Sequence, residues 1–130
     1  MSSFNIWPVL RCLDSRILFD FLISAFGFVE GFVVLADDSI GIVHAEILWP
    51  EGGGVMMGDA VIGDAVHLSL PSGPVSIYII TAQPHVLYQR AVKAGALIVK
   101  ELQHEEYGSH GFSAADPEGN IWSFGTYSGA

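Results

Sequence analysis

The sequence predicts an α+β fold made of two tandem strand–helix–strand–strand–strand modules, on three observations. Pro-Glu-Gly followed six places later by Gly occurs twice, as Pro50, Glu51, Gly52, Gly58 and as Pro117, Glu118, Gly119, Gly125, at a constant offset of 67. Two segments with helical spacing each stop at a glycine, Gly27 and Gly95, 68 places apart. Three short strand-like runs follow each of those glycines. A supersecondary unit spelled twice at a fixed offset is the signature of a duplicated module.

The elements follow in chain order. Residues 4–14, FNIWPVLRCLD, alternate apolar and polar positions as a half-buried strand does. Asp14 or Ser15 then caps a helix in which Ile17, Leu18, Phe21, Leu22 and Phe26 recur at helical spacing. Gly27 ends it, as a C-terminal glycine. Strands are predicted at about 31–37, 41–49 and 54–59, with Asp37-Asp38-Ser39 and the first Pro-Glu-Gly supplying the turns. A Gly-, Pro- and Ser-rich linker covers 60–74. The second module repeats the order: a strand at 75–81, a helix from Pro84 to Gly95, and strands at about 96–102, 110–115 and 120–126. The expected organisation is one domain of two modules, about 4–59 and 75–127.

Bulk properties narrow the function classes. A chain of 130 residues with 51% hydrophobic content can bury roughly two-thirds of its unfolded surface and is not intrinsically disordered. The longest apolar stretch, Phe21–Val29, is closed by Asp20 and Glu30 and falls far short of the roughly 20 residues a spanning helix needs. No basic region precedes an apolar run at the start, and the one cysteine, Cys12, has no partner for an internal disulfide. Both features fit a cytoplasmic protein with a reduced, buried thiol. Net charge is −9, the wrong sign for binding nucleic acid through its phosphates and the right one for drawing in a cationic ligand. No glycine-rich phosphate loop follows a strand. Asp14, Asp116 and Glu118 fall at turns, where solvated capping is the expected role.

The segments ILFDFLISAFGF (17–28), HAEILWPEGGGVMMG (44–58), LYQRAVKAGA (87–96) and YGSHGFSAADPEGNIWSFGTY (107–127) resemble the vicinal oxygen chelate superfamily of glyoxalase I, bleomycin resistance proteins and extradiol dioxygenases. The resemblance runs over almost the whole chain. It implies that the paired βαβββ modules form a cupped mixed sheet with helices on its outer face, and that the protein is a homodimer. Open sheet edges give a separate motive for the homodimer.

Enzymes of that superfamily hold a divalent metal with His and Glu side chains. Carried over residue by residue, the resemblance puts the four ligand positions on Trp7, Glu46, Ser76 and Ser123. An indole has no lone pair to give, and a neutral hydroxyl is a poor ligand. One carboxylate remains, and no metal or other cofactor is expected. His44 lies two places before Glu46 and shares its sheet face, while His67, His104 and His110 have no assigned place in a site.

Strand alternation places Trp7, Val9 and Arg11, then His44, Glu46 and Leu48, then Met56, on one face of the first module. It places Ser76, Tyr78, Ile80, Ser113, Ile121, Ser123 and Gly125 on the same face of the second, with Trp122 and Phe124 turned toward the helices. The expected ligand-binding set is therefore Trp7, His44, Glu46, Met56, Ser76, Tyr78, Ser113 and Ser123. Such a lining suits a small aromatic or cationic molecule, stacked on Trp7 and Tyr78 and anchored at Glu46. Three functions compete: metal-free sequestration of a ligand of the antibiotic type, a metal-dependent lyase, isomerase or dioxygenase resembling glyoxalase I, and a metal-free isomerase using Glu46 as base beside His44.

Overall fold

The computed structural model describes residues 6–61, 72–104 and 109–129. In the first half, β1 (Val9–Cys12) leads into α1 (Ser15–Phe21), followed by β2 (Val29–Leu35), β3 (Ile42–Leu48) and β4 (Gly54–Asp59). In the second, β5 (Ser76–Ile80) precedes α2 (Pro84–Lys93), then β6 (Leu97–His104), β7 (His110–Ala115) and β8 (Ile121–Gly125). Each half is one βαβββ module with a four-stranded mixed sheet, ordered β1-β4-β3-β2 and β5-β8-β7-β6. The first strand of each module runs parallel to the last, and the remaining pairs are antiparallel. The strand expected over 4–14 is narrower, Val9–Cys12, and residues 4 and 5 with most of the 60–74 linker lie outside the described residues.

Asp14 caps α1, its Oδ1 accepting from the Ile17 N–H at 3.2 Å. After Phe21 the helix widens into a π-helical turn, Leu22–Phe26, which helical spacing alone did not predict. Gly27 closes it at φ 83°, a left-handed conformation that a side chain would resist.

Pleat alternation sends Leu10, Cys12, Ala45, Ile47, Val55 and Met57 of module 1 toward the helices, together with Phe112, Ala114, Trp122 and Phe124 of module 2. The two halves share this core. Phe26 from the π-turn lies 4.7 Å, centroid to centroid, from Phe124, and Phe28 lies 5.6 Å from Trp122. Trp122 is fully buried, as core, and its Nε1 donates to Asp116 Oδ2 at 2.7 Å.

The doubled Pro-Glu-Gly turn has a purpose beyond the hairpin it makes. Glu118 reaches across to module 1 and accepts from the Leu13 and Asp14 N–H groups at 2.8 and 2.9 Å, where the chain enters α1. Glu51 does the converse, accepting from Thr81 Oγ1 at 2.7 Å and the Ala82 N–H at 2.9 Å ahead of α2. Each module's turn thus satisfies backbone donors at the other's helix entry. A third clasp comes from Arg90 of α2, which donates to the Ile23 and Ser24 carbonyls at 3.1 Å each, in the π-turn of module 1.

Asp14 is exposed and caps its helix as expected, whereas the solvated role expected of Asp116 and Glu118 is corrected. Asp116 is 7% exposed and accepts from the Glu118 and Asn120 N–H groups, Asn120 Nδ2 and Trp122 Nε1. Glu118 bridges the modules. Sequence position marks the turn; it does not show what lies across it.

Candidate functional site on the open sheet faces

The face of each sheet turned away from the helices carries the residues singled out from the sequence. In module 1, Glu46 on β3 lies opposite Met56 on β4 and opposite Phe32 on β2. His44 Nε2 is 2.9 Å from Glu46 Oε2, and both side chains are about one-third exposed. The Phe32 ring stands 6.5 Å from the His44 ring. Trp7 precedes β1 and lies over Gly54, where even a Cβ would come within 2.8 Å of the indole. Arg11 lies over Gly58 and donates to the Ala60 carbonyl at 3.2 Å.

In module 2, Ser113 on β7 and Ser123 on β8 are cross-strand partners with their hydroxyls 2.7 Å apart. Tyr78 on β5 lies beside Ser123 and donates to the Tyr127 carbonyl at 2.7 Å. Ser113, Ser123 and Tyr78 border a hollow of about 210 Å³. A larger cavity of about 650 Å³ opens between the halves, with Pro8, Phe28, Trp49 and Val55 on one side and Ile77 and Tyr78 on the other. Tyr78 borders both. Ser76, exposed at the start of β5, borders neither, and neither includes His44, Glu46 or Met56.

The eight residues thus form two groups: Trp7, His44, Glu46 and Met56 on one sheet, Ser76, Tyr78, Ser113 and Ser123 on the other. Sequence reasoning missed two features. Lys100 borders the smaller hollow, opposite Ser113, because a bulge between Ile98 and Lys100 shifts it to the open face. Strict alternation from Ile98, which lies opposite the core residue Ala114, would have sent it to the helix side. The cavity between the halves depends on how two modules meet, and no local pattern encodes that.

The donor set does not fit the metal centre that the resemblance implies. Trp7, Ser76 and Ser123 stand at three of its four positions, and Ser123 is hydrogen-bonded to Ser113. Among the described residues no three His, Cys, Asp or Glu side chains are grouped to hold an ion. His67 lies outside the described residues, while His104 and His110 sit together in module 2. Cys12 is fully buried, and burial pushes its thiol up to about 12, so it is neutral and unreactive at neutral pH. Among the described residues no helix is long and apolar enough to cross a membrane.

No family model matches the sequence. An uncharacterised protein of Mycobacterium bovis, Mb0911c, is 32% identical over 123 residues, covering 91% of this chain and 80% of the relative. Among solved structures, TioX from Micromonospora sp. ML1 has a TM-score of 0.78 at 27% identity, with 93% of this chain and 98% of that one covered. A member of the glyoxalase/bleomycin resistance protein/dioxygenase superfamily from Sphaerobacter thermophilus has a TM-score of 0.71 at 18% identity, over 93% and 96% of the two chains, a likeness of fold.

Proposed function

We propose that the chain, which shares the fold of the glyoxalase/bleomycin resistance protein/dioxygenase superfamily, binds a small aromatic or cationic molecule, without a metal ion, and sequesters it. The observation that carries this reading is the donor set: Glu46 is the one acidic group at the four inherited positions, and its charge sits beside apolar surface from Met56 and Phe32. A carboxylate in that setting favours a ligand cation, and Trp7 and Tyr78 offer faces for a flat ring. The chain's net charge of −9 adds a field of the same preference.

The two groups of residues make one site if the protein is a homodimer in which the His44–Glu46 face of one protomer looks onto the Ser113–Ser123 hollow of its partner. Exposed apolar side chains support this. On the open faces Val9, Phe32, Val34, Tyr78, Ile80 and Leu97 are between 39% and 66% exposed, more apolar surface than a solitary sheet face keeps in water. Light scattering at micromolar concentration should give twice the chain mass. We place the protein in the cytoplasm, with no nucleic-acid or membrane partner.

Calorimetry against a panel of cationic aromatic antibiotics tests the ligand class. Binding of at least one, quenching of tryptophan emission and a loss of roughly tenfold or more in Glu46→Gln are the expected results. Uniform failure to bind, or a stoichiometric divalent ion in chelator-free protein that is lost in Glu46→Ala, would overturn it.

The contact between His44 and Glu46 favours a second reading, proton transfer within a bound substrate. There Glu46 takes a proton from carbon while His44 orients it and delivers a proton elsewhere. A bell-shaped pH–rate profile abolished by Glu46→Gln is its signature.

A further inference from the structure

Three of the chain's five histidines converge on the helix side of the second sheet, away from the open face. His104 ends β6 and His110 begins β7, and the two are direct cross-strand partners. His104 Nδ1 and His110 Nε2 are 3.2 Å apart, with ring centroids separated by 4.5 Å. His85, in the first turn of α2, brings a third imidazole to 5.7 Å from His110. His110 is held firmly: its N–H donates to Thr126 Oγ1, and its carbonyl accepts from the Thr126 N–H, both at 3.0 Å.

From this geometry we propose that His104 and His110 form a two-point clamp for a divalent transition-metal ion, with His85 as third ligand after rotation of its side chain. Two nitrogens bound to one tetrahedral ion at about 2.0–2.1 Å stand about 3.3 Å from each other, the spacing this pair already has. Imidazoles on one such ion have ring centres about 5 Å apart, against 5.7 Å between His85 and His110. Among the described residues, as the side chains stand, no three are grouped around an ion, so the pair is the site and His85 its extension. Neutral nitrogen donors select zinc, nickel or copper over magnesium or calcium. Water would fill the remaining positions, because His85 and His104 are exposed and His110 half-buried. A bound ion would pin the β6–β7 hairpin to the start of α2. The site is independent of Glu46.

Equilibrium dialysis and calorimetry of the full chain, without a polyhistidine tag, against zinc and nickel chloride with magnesium chloride as control, test the clamp. The expected result is one zinc or nickel ion per chain, no magnesium, and a rise in Tm with added zinc. His104→Gln and His110→Gln should each weaken zinc by more than the roughly tenfold that loss of an outer-shell partner costs, and His85→Gln by less. Glu46→Gln should leave it unchanged. Failure of the unsubstituted chain to bind zinc or nickel, equal binding of magnesium, or zinc affinity unaltered in a folded His110→Gln variant would overturn the proposal.

Discussion

On the helix side of the sheets, Val55 and Met57 of module 1 correspond at the 67-residue offset to Trp122 and Phe124 of module 2, and Ala45 and Ile47 to Phe112 and Ala114. Every one of these positions is apolar and buried, and a small residue on one strand is offset by a large one nearby. On the open side the same offset pairs Glu46 with Ser113, Met56 with Ser123 and His44 with Gly111, and chemical character is not kept. The turn glutamates Glu51 and Glu118 are kept, and each serves the other module. Duplication therefore preserved what packs and what clasps. The open faces are released from that constraint and are where the modules acquired different chemistry.

The sharpest test of that contrast lies at one corresponding pair, Trp49 and Asp116. Asp116 gathers four donors, two of them the buried side chains of Asn120 and Trp122, whereas the Trp49 Nε1 is buried and meets no acceptor among the described residues. Asp116→Ala strands those donors and should cost about 3–5 kcal/mol in urea unfolding. Trp49→Phe removes an unsatisfied donor while keeping a ring, and should stay within about 1.5 kcal/mol. Equal losses would mean that the two turns are anchored alike and the contrast is false.

A second contrast separates the modules by pH. Cys12 stands where module 2 has Ile79. Desolvation raises the folded thiol from 9.0 to about 12, so as pH climbs the unfolded chain releases its proton first. Stability is intact below pH 9.0 and is lost as pH rises toward 12, by about 1.4 kcal/mol for each pH unit in that window. Cys12→Val should flatten the alkaline limb of the unfolding curve, and native protein at neutral pH should resist iodoacetamide until it unfolds.

Next come the clasps. Glu51→Ala and Glu118→Ala should each cost about 1 kcal/mol, since each removes two charge-assisted hydrogen bonds from partly solvated ground. A double variant that loses much more than the sum would show the two clasps to be coupled through the shared core.

How far the sequence disclosed this molecule follows from the range of the interactions concerned. Tandem order, the Asp14 cap, the stop at Gly27 and the inward turn of Trp122 all rest on neighbours within a few residues, and alternation or helical spacing expresses them. The π-turn was hidden because α and π spacing differ too little over five residues. The open-face position of Lys100 was hidden by a bulge, which breaks the alternation used to place side chains. Glu118 looked like a solvated turn residue because its partners, Leu13 and Asp14, are more than one hundred positions away. For the candidate site, alternation put His44 and Glu46 on one face, and Ser113 and Ser123 on one face; the structure brings each pair into contact. It could not show that these pairs sit on separate sheets, with the serine pair bordering a hollow and the His44–Glu46 pair outside both cavities.

The smallest effect is expected where module 1 is given module 2's residue on the open face. Glu46→Ser copies the residue found at 113, and Met56→Ser copies that at 123. If the open face is free of folding constraint, Glu46→Ser should change unfolding free energy by no more than about 0.5 kcal/mol, the range of surface substitutions with no buried partner. Met56→Ser should cost about 1 kcal/mol, because Met56 is half-buried against its neighbours. The discriminating comparison is Phe112→Ala, which on the helix side imposes module 1's Ala45 on module 2 and opens a cavity worth about 3–5 kcal/mol. Should Glu46→Ser instead cost more than about 2 kcal/mol, the His44–Glu46 contact would be part of what holds β3 to its neighbours. The two faces would then differ in degree rather than in kind, and Glu46 would lose its claim to have been spared for a ligand.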